Sequence, residues 1–379
     1  MSACRLPIAI YVSFLVTALS FAQTKTPAAT RGSARPQLDS LVEPPVPSDP
    51  LELVTGETQV VQTPEERAQI LKLLGDAHAR SYVRAYPYDL KTTFVSTGSS
   101  LRDGPWELED VSPNGETYRW IARGNDYSVV NLYSKRVLYS NQPAGTVPLR
   151  LEQVRTAIFF AYLAPRFLQS SLIRTAFANL NGTELTCALF SGGSNSPTAT
   201  PGRRWEETEY CVDAKSGFLV TYSAAPGVYV LYDYSNALHF HGIVLPGKIT
   251  VTEAGNTVIE AHLESVTDPA KSDPDSFTPS SSMTAIGVGS LMSLPMRFPI
   301  FVANSTVRPN TVQPVIVHGV LTPEGEIAEP EALQTTNSIL ARAALDAVKN
   351  WHAGDRTAPG ATPQQREVYI NVKFINSGS

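Results

Sequence analysis

The chain is predicted to adopt an α+β fold dominated by antiparallel sheet, and three observations predict it. Between Tyr88 and Val266, short segments alternate apolar and polar residues and are punctuated by turn sequences. Helical spacing of apolar residues is confined mainly to a segment after Thr63, one near Leu151, and Asn337 to Trp351. Proline clusters before residue 57 and again after residue 268 separate these regions. The predicted organisation is a signal segment at 1–22, a Pro-rich linker at 23–57, a sheet domain at 58–268, a Pro/Ser-rich linker at 269–307 and a small C-terminal domain at 308–379.

Length and composition narrow the function classes. The 379 residues leave room for two domains and linkers, and 42% hydrophobic residues is ordinary for a globular chain. A net charge of −5 argues against a broad nucleic-acid footprint. The N-terminus carries Arg5, an apolar run from Ile8 to Leu19, and small residues at Ser20 and Ala22, the pattern of a secretory signal cut before Gln23. The alternative is an uncut segment, Leu6 to Ala22, that anchors the chain in the inner membrane facing the periplasm. Periplasmic export fits the cysteines. Beyond Cys4 only Cys187 and Cys211 remain, a pair expected to bridge in an oxidising compartment.

The elements follow in order. Residues 23–57 show no hydrophobic period and read as an extended linker. Thr63 is an N-cap with Pro64 at the first helical position, and Glu66 closes a capping box. Ile70, Leu71, Leu74, Ala77 and His78 then follow at helical spacing, and Tyr86-Pro87 ends the pattern. Strands are predicted over 89–95, 106–111, 117–121 and 127–133, with a hairpin turn at Ser112-Pro113-Asn114-Gly115. A helix from Leu151 to Tyr162 interrupts them. Strands resume over 185–190, 205–212, 218–223, 228–234, 247–253 and 258–265, with a turn at Asp213 to Gly217. Pairing of the 185–190 and 205–212 segments brings Cys187 near Cys211. One long antiparallel sheet with helices on one face is the economical arrangement.

Two phrases give this middle region a resemblance. Asp213-Ala214-Lys215-Ser216-Gly217-Phe218-Leu219-Val220 and Gly242-Ile243-Val244-Leu245-Pro246-Gly247-Lys248-Ile249 look like the hairpin and strand entry of LolA-like lipoprotein-localisation factors. The resemblance implies a half-barrel that holds a lipid or acyl chain between sheet and helices. Trp106, Tyr118, Trp120, Tyr127, Tyr133, Tyr139, Tyr229, Tyr232 and Tyr234 are candidates to line such a pocket or simply to fill the core.

The last segment runs from the strand Val315 to Val320, through a turn at Pro323-Glu324-Gly325, to a helix and a final strand at Val368 to Phe374. Leu340, Ala343, Ala344, Ala347, Val348 and Trp351 form one helix face, capped by Asn337 or Ser338. With Leu345 they match the helix of TonB C-terminal domains, so the segment resembles that family as a β-β-α-β domain. The resemblance implies an energy-transducing protein that captures an envelope or outer-membrane protein segment by β-augmentation. The expected binding edge is the last strand, with Tyr369, Asn371 and Lys373 on one side and the apolar Val368, Ile370, Val372 and Phe374 in the core. The alternative is a periplasmic carrier of lipid or lipoprotein.

No enzyme activity, cofactor or metal is expected. The chain has no phosphate loop, HExxH or CxxC, and Gly287-Val288-Gly289-Ser290 lacks the context of a nucleophile elbow. His239 and His241 share a predicted strand face, but a zinc site needs a third ligand, and neither His262 nor Asp233 is required by spacing. Glu206, Glu207 and Glu209 read as an exposed acidic sheet face.

Overall fold

The computed structural model describes residues 52–98, 102–143, 147–159, 171–192, 201–270, 274–287, 296–304, 306–307, 312–322, 324–334, 337–351 and 366–376. The signal segment and most of the first linker lie outside them. Residues 41–379 form one unit. Its fold is mostly antiparallel sheet with few helices.

The first half begins with a short strand β1 (Gln59–Val60) and helix α1 (Pro64–Ser81). The predicted capping box is formed: Glu66 N–H donates to Thr63 Oγ1 at 3.2 Å, and Thr63 N–H donates to the Glu66 carboxylate at 3.2 Å. A meander follows, β2 (Tyr88–Ser96), β3 (Gly104–Ser112), β4 (Tyr118–Arg123), β5 (Ser128–Ser134) and β6 (Val137–Ser140), and then helix α2 (Leu149–Phe159). β2 shows why the sequence folds this way, since its buried residues recur at every second position.

A second meander contains β7 (Leu172–Leu180), β8 (Thr183–Ser191), β9 (Thr208–Asp213), β10 (Leu219–Ala225) and β11 (Val228–Asp233). A small hairpin, β12 (Leu238–Phe240) and β13 (Ile243–Leu245), precedes β14 (Lys248–Glu253) and β15 (Asn256–Thr267). β15 pairs with β2, which joins the two meanders into one antiparallel sheet. With β16 (Thr284–Gly287) on β6, the strand order is β1-β7-β8-β9-β10-β11-β14-β15-β2-β3-β4-β5-β6-β16.

Cys187 and Cys211 are direct cross-strand partners on β8 and β9 and form a disulfide. Both are fully buried. Closing this loop restricts the unfolded chain, so removing the bridge with Cys187→Ala/Cys211→Ala should cost about 2–3 kcal/mol. Urea unfolding of both proteins checks this; equal midpoints and slopes would refute it.

The C-terminal segment departs from expectation. It contains β17 (Met296–Ala303), β18 (Val312–Leu321), β19 (Ile327–Gln334), helix α3 (Ser338–Lys349) and β20 (Arg366–Ile375). The strand order is β17-β20-β18-β19. β16 and β17 thus fall inside the span expected to be linker. β17 runs parallel to β20, and β18 runs antiparallel on its other side. The last strand is therefore interior. Its backbone cannot serve as the partner-binding edge expected at Tyr369, Asn371 and Lys373, because β17 and β18 already take up both sides.

Both faces of this small sheet are covered. Val368, Ile370, Val372 and Phe374 pack with Leu340, Ala344 and Val348 of α3, as the helical spacing predicts. Asn337 caps the helix, accepting from the N–H groups of Ile339 and Leu340. Trp351 stacks on Phe298 of β17 at 4.5 Å between ring centres. On the other face, Ile316, Leu333 and Tyr369 join the core of the large sheet. Arg297 of β17 donates to Thr208 Oγ1 at 2.7 Å and to the carbonyls of Glu206 and Ala224.

Candidate functional site

The face of α1 that points at the sheet carries Leu74, Ala77, His78 and Ser81, spaced i, i+3, i+4 and i+7. These residues and Tyr82 form one wall of a cleft. The end of α2 supplies Ala157, Ile158 and Phe159. The floor is the large sheet, through Leu219, Tyr232, Ile249 and Leu263, and Tyr234 stands just past β11. Leu245 and Pro246, at the end of the small hairpin, close one side.

The cavity between these walls is about 40 Å³, well below the ~300–1,000 Å³ of drug-sized ligand sites, so a ligand chain enters only as the helices part from the sheet. No Asp, Glu, Lys or Arg is among its lining residues. His78 is kept below its ordinary imidazole range by burial, so its neutral form is favoured. The phenols are tied to the walls. Tyr232 donates to the Ala157 carbonyl at 3.0 Å, which fastens α2 to the sheet, and Tyr234 donates to the Leu219 carbonyl at 3.1 Å. Burial holds both phenols well above their usual range, so they remain neutral donors. Such a surface can bind an apolar chain and orient it by a few neutral polar groups.

Of the aromatic residues flagged in the sequence, Tyr232 and Tyr234 line this cleft. Trp106 instead borders a more open groove of about 690 Å³ over β2, β3, β4 and β15 with Phe94, Val95, Glu107, Arg123 and His262. Tyr118, Trp120, Tyr127 and Tyr229 are core residues. The contributions of Ser81, Leu219 and Leu263 were missed. The α1 face at i, i+3, i+4 was the available signal, but it did not identify the opposite wall.

The histidine pair is not brought together as expected. His239 is exposed on β12, whereas His241 occupies the following turn with φ +47°. His241 bonds Asp268 at 2.7 Å and stacks on Tyr86, while His262, on β15, bonds Glu260 of the same strand. The acidic run is also different. Glu207 and Glu209 are buried, not solvated. Arg174 holds Glu207 through two bonds of 2.7 Å, and Arg203 lies 3.6 Å from Glu209. Buried carboxylates require such partners.

No family model and no curated protein matches the chain. Solved structures do. A LolA-superfamily protein from Nitrosomonas europaea is 11% identical, covers 55% of this chain and 96% of its own, and has a TM-score of 0.38. An outer-membrane lipoprotein-sorting protein domain from Vibrio parahaemolyticus is 8% identical over 56% of this chain and 97% of its own, with a TM-score of 0.35. The MucA/MucB complex of Pseudomonas aeruginosa matches at 12% identity over 56% and 63%, with a TM-score of 0.26. Likeness at this level carries no functional conclusion. The comparisons also correct the TonB assignment: no TonB model matches residues 308–379, and the structural neighbours are of the LolA, lipoprotein-sorting and MucB kinds. The energy-transducer reading falls with it. Among the described residues, no helix is long and apolar enough to cross a membrane.

Proposed function

We propose that this is an exported, periplasmic, non-catalytic carrier that holds the acyl chain of a lipid or lipoprotein between α1, α2 and the large sheet. One observation carries the reading: the cleft is lined by apolar side chains and neutral polar groups, with no charged residue. Burial of a hydrocarbon chain there would be driven by removal of apolar surface from water. The signal-like N-terminus and the buried disulfide support work outside the cytoplasm.

Titration of the purified chain with a fluorescent fatty acid tests this. Saturable binding, displaced by palmitate, is expected. Ser81→Trp should weaken it at least tenfold by filling the cleft. Val95→Lys, in the separate groove, should leave it unchanged. Absence of binding, or equal affinity for the Ser81→Trp variant with native circular dichroism, would overturn the reading.

A further inference from the structure

A buried polar cluster lies where α2 and the large sheet meet the C-terminal sheet. Glu253 ends β14, while His318 on β18 and Glu331 on β19 are direct cross-strand partners. Glu253 and His318 are almost completely buried, and Glu331 is half-buried. One ligand-capable atom from each of the three falls within 4.8 Å of the other two. We propose that Glu253, His318 and Glu331 bind one divalent transition-metal ion, separate from the apolar cleft.

The orientation of the imidazole is the first argument. His318 Nε2 bonds Glu367 at 2.9 Å, and Tyr369 O–H donates to the same Glu367 oxygen at 2.9 Å. The Tyr369 ring also stacks on the imidazole, with ring centres 5.0 Å apart. A metal-binding histidine is commonly held in this way, its second nitrogen fixed by a carboxylate. The other nitrogen, Nδ1, is turned toward the Glu253 carboxylate, whose nearer oxygen is 3.5 Å away.

Glu253 supplies the second, independent observation. Its Oε1 is engaged by Arg150 at 2.7 Å and by Gln153 at 2.8 Å. Its Oε2 is buried and receives no hydrogen bond from an N–H or hydroxyl group. A buried carboxylate oxygen in that state calls for a water or an ion. Glu331 faces the Glu253 carboxylate and shares a hydrogen bond with it.

Charge is the third argument. Carboxylates converge here: Glu253 pairs with Arg150, Glu331 faces Glu253, and Glu367 bonds His318. Metal binding displaces protons from its ligands, so the affinity would rise with pH. Half-buried Glu331 gives a way in, and Cys187 and Cys211 are bridged and offer no competing thiolate.

Zn²⁺ titration of the EDTA-treated full chain by calorimetry, in two buffers of different ionisation enthalpy, tests the proposal. One ion per chain, micromolar or tighter affinity at pH 7.5, proton release, and at least tenfold weaker binding at pH 5.5 are expected. Glu331→Gln and His318→Gln should each weaken binding at least tenfold, and Glu331→Gln should keep its thermal unfolding midpoint. His241→Ala and His262→Ala, both exposed, should have no effect. No binding, or binding unchanged in both Glu331→Gln and His318→Gln, would overturn the proposal and leave the cluster as a buried polar joint. Fatty-acid binding has no bearing on either outcome.

Discussion

Replacing Arg174 with methionine should destabilise the protein by about 3–5 kcal/mol, the usual cost of stranding one member of a buried ion pair. Arg174 has only 2% of its surface exposed although it is a large cation. Its Nε and Nη2 clamp the two oxygens of Glu207 at 2.7 Å each. Nη1 donates to Thr58 Oγ1 at 2.6 Å, and Nη2 also reaches the Gly202 carbonyl at 2.9 Å. One side chain thus ties β7 to the segment before β1, the segment before β9 and Glu207. In the methionine variant, Glu207 keeps the Arg204 N–H at 2.7 Å but loses its compensating charge. A carboxylate in that state either remains as an unpaired buried anion or takes up a proton. Adding Glu207→Leu should restore much of the loss, since an apolar pair of similar volume can replace a buried ion pair. Urea unfolding of the three variants gives both differences. A loss below about 1 kcal/mol for Arg174→Met would show that the pair is solvated in solution.

The same clamp shows where sequence reading stops. The capping box of Thr63 and Glu66, the period-two burial of β2 and the apolar stripe of α3 are local, because each is set by residues within a few positions. They were legible. The facing of Cys187 and Cys211 was also legible, since a hairpin-like return of β9 on β8 sets it. The acidic run was misread because the cations that bury Glu207 and Glu209 lie in other segments, and no local pattern names them. β17 was misread for a related reason. Its Pro299 and its neighbours Pro295 and Pro309 look like linker, yet a proline is tolerated on the outermost strand of a sheet. Its partner is β20, about seventy residues later and parallel, a pairing with no turn signal. Missing β17 made β20 look like an edge, which left the β-augmentation implied by the TonB resemblance unchallenged. The α1 side of the apolar cleft was written in the helical period. The opposite wall depends on the register of β10, β11, β14 and β15, which is settled by pairing across the sheet.

Gly247→Ala should cost at least about 3 kcal/mol, at or above the upper end of ordinary overpacking, because the added carbon meets backbone. A Cβ at Gly247 would collide with the Asn236 carbonyl oxygen and stand 2.7 Å from its carbon. A side chain could rotate away from such a contact, but this carbonyl belongs to the turn that leads into the β12–β13 hairpin. Gly247 is also bonded on both sides: its N–H donates to Asp233 at 3.0 Å, and its carbonyl accepts from Leu263 N–H at 3.0 Å. It therefore cannot retreat without breaking the start of β14, so the hairpin must move. Leu245 and Pro246 immediately precede it and close the apolar cleft, which makes the expected damage functional as well as structural. The variant should unfold at lower urea and bind the fluorescent fatty acid more weakly, and Gly242→Ala, with nothing within 4 Å of its added carbon, serves as the contrast. Gly242 has φ +82°, so its own substitution should cost only the ~1 kcal/mol of a strained turn and spare the cleft. Equal stability and equal ligand affinity for Gly247→Ala and the wild type would show that the hairpin is not held against the sheet at this point.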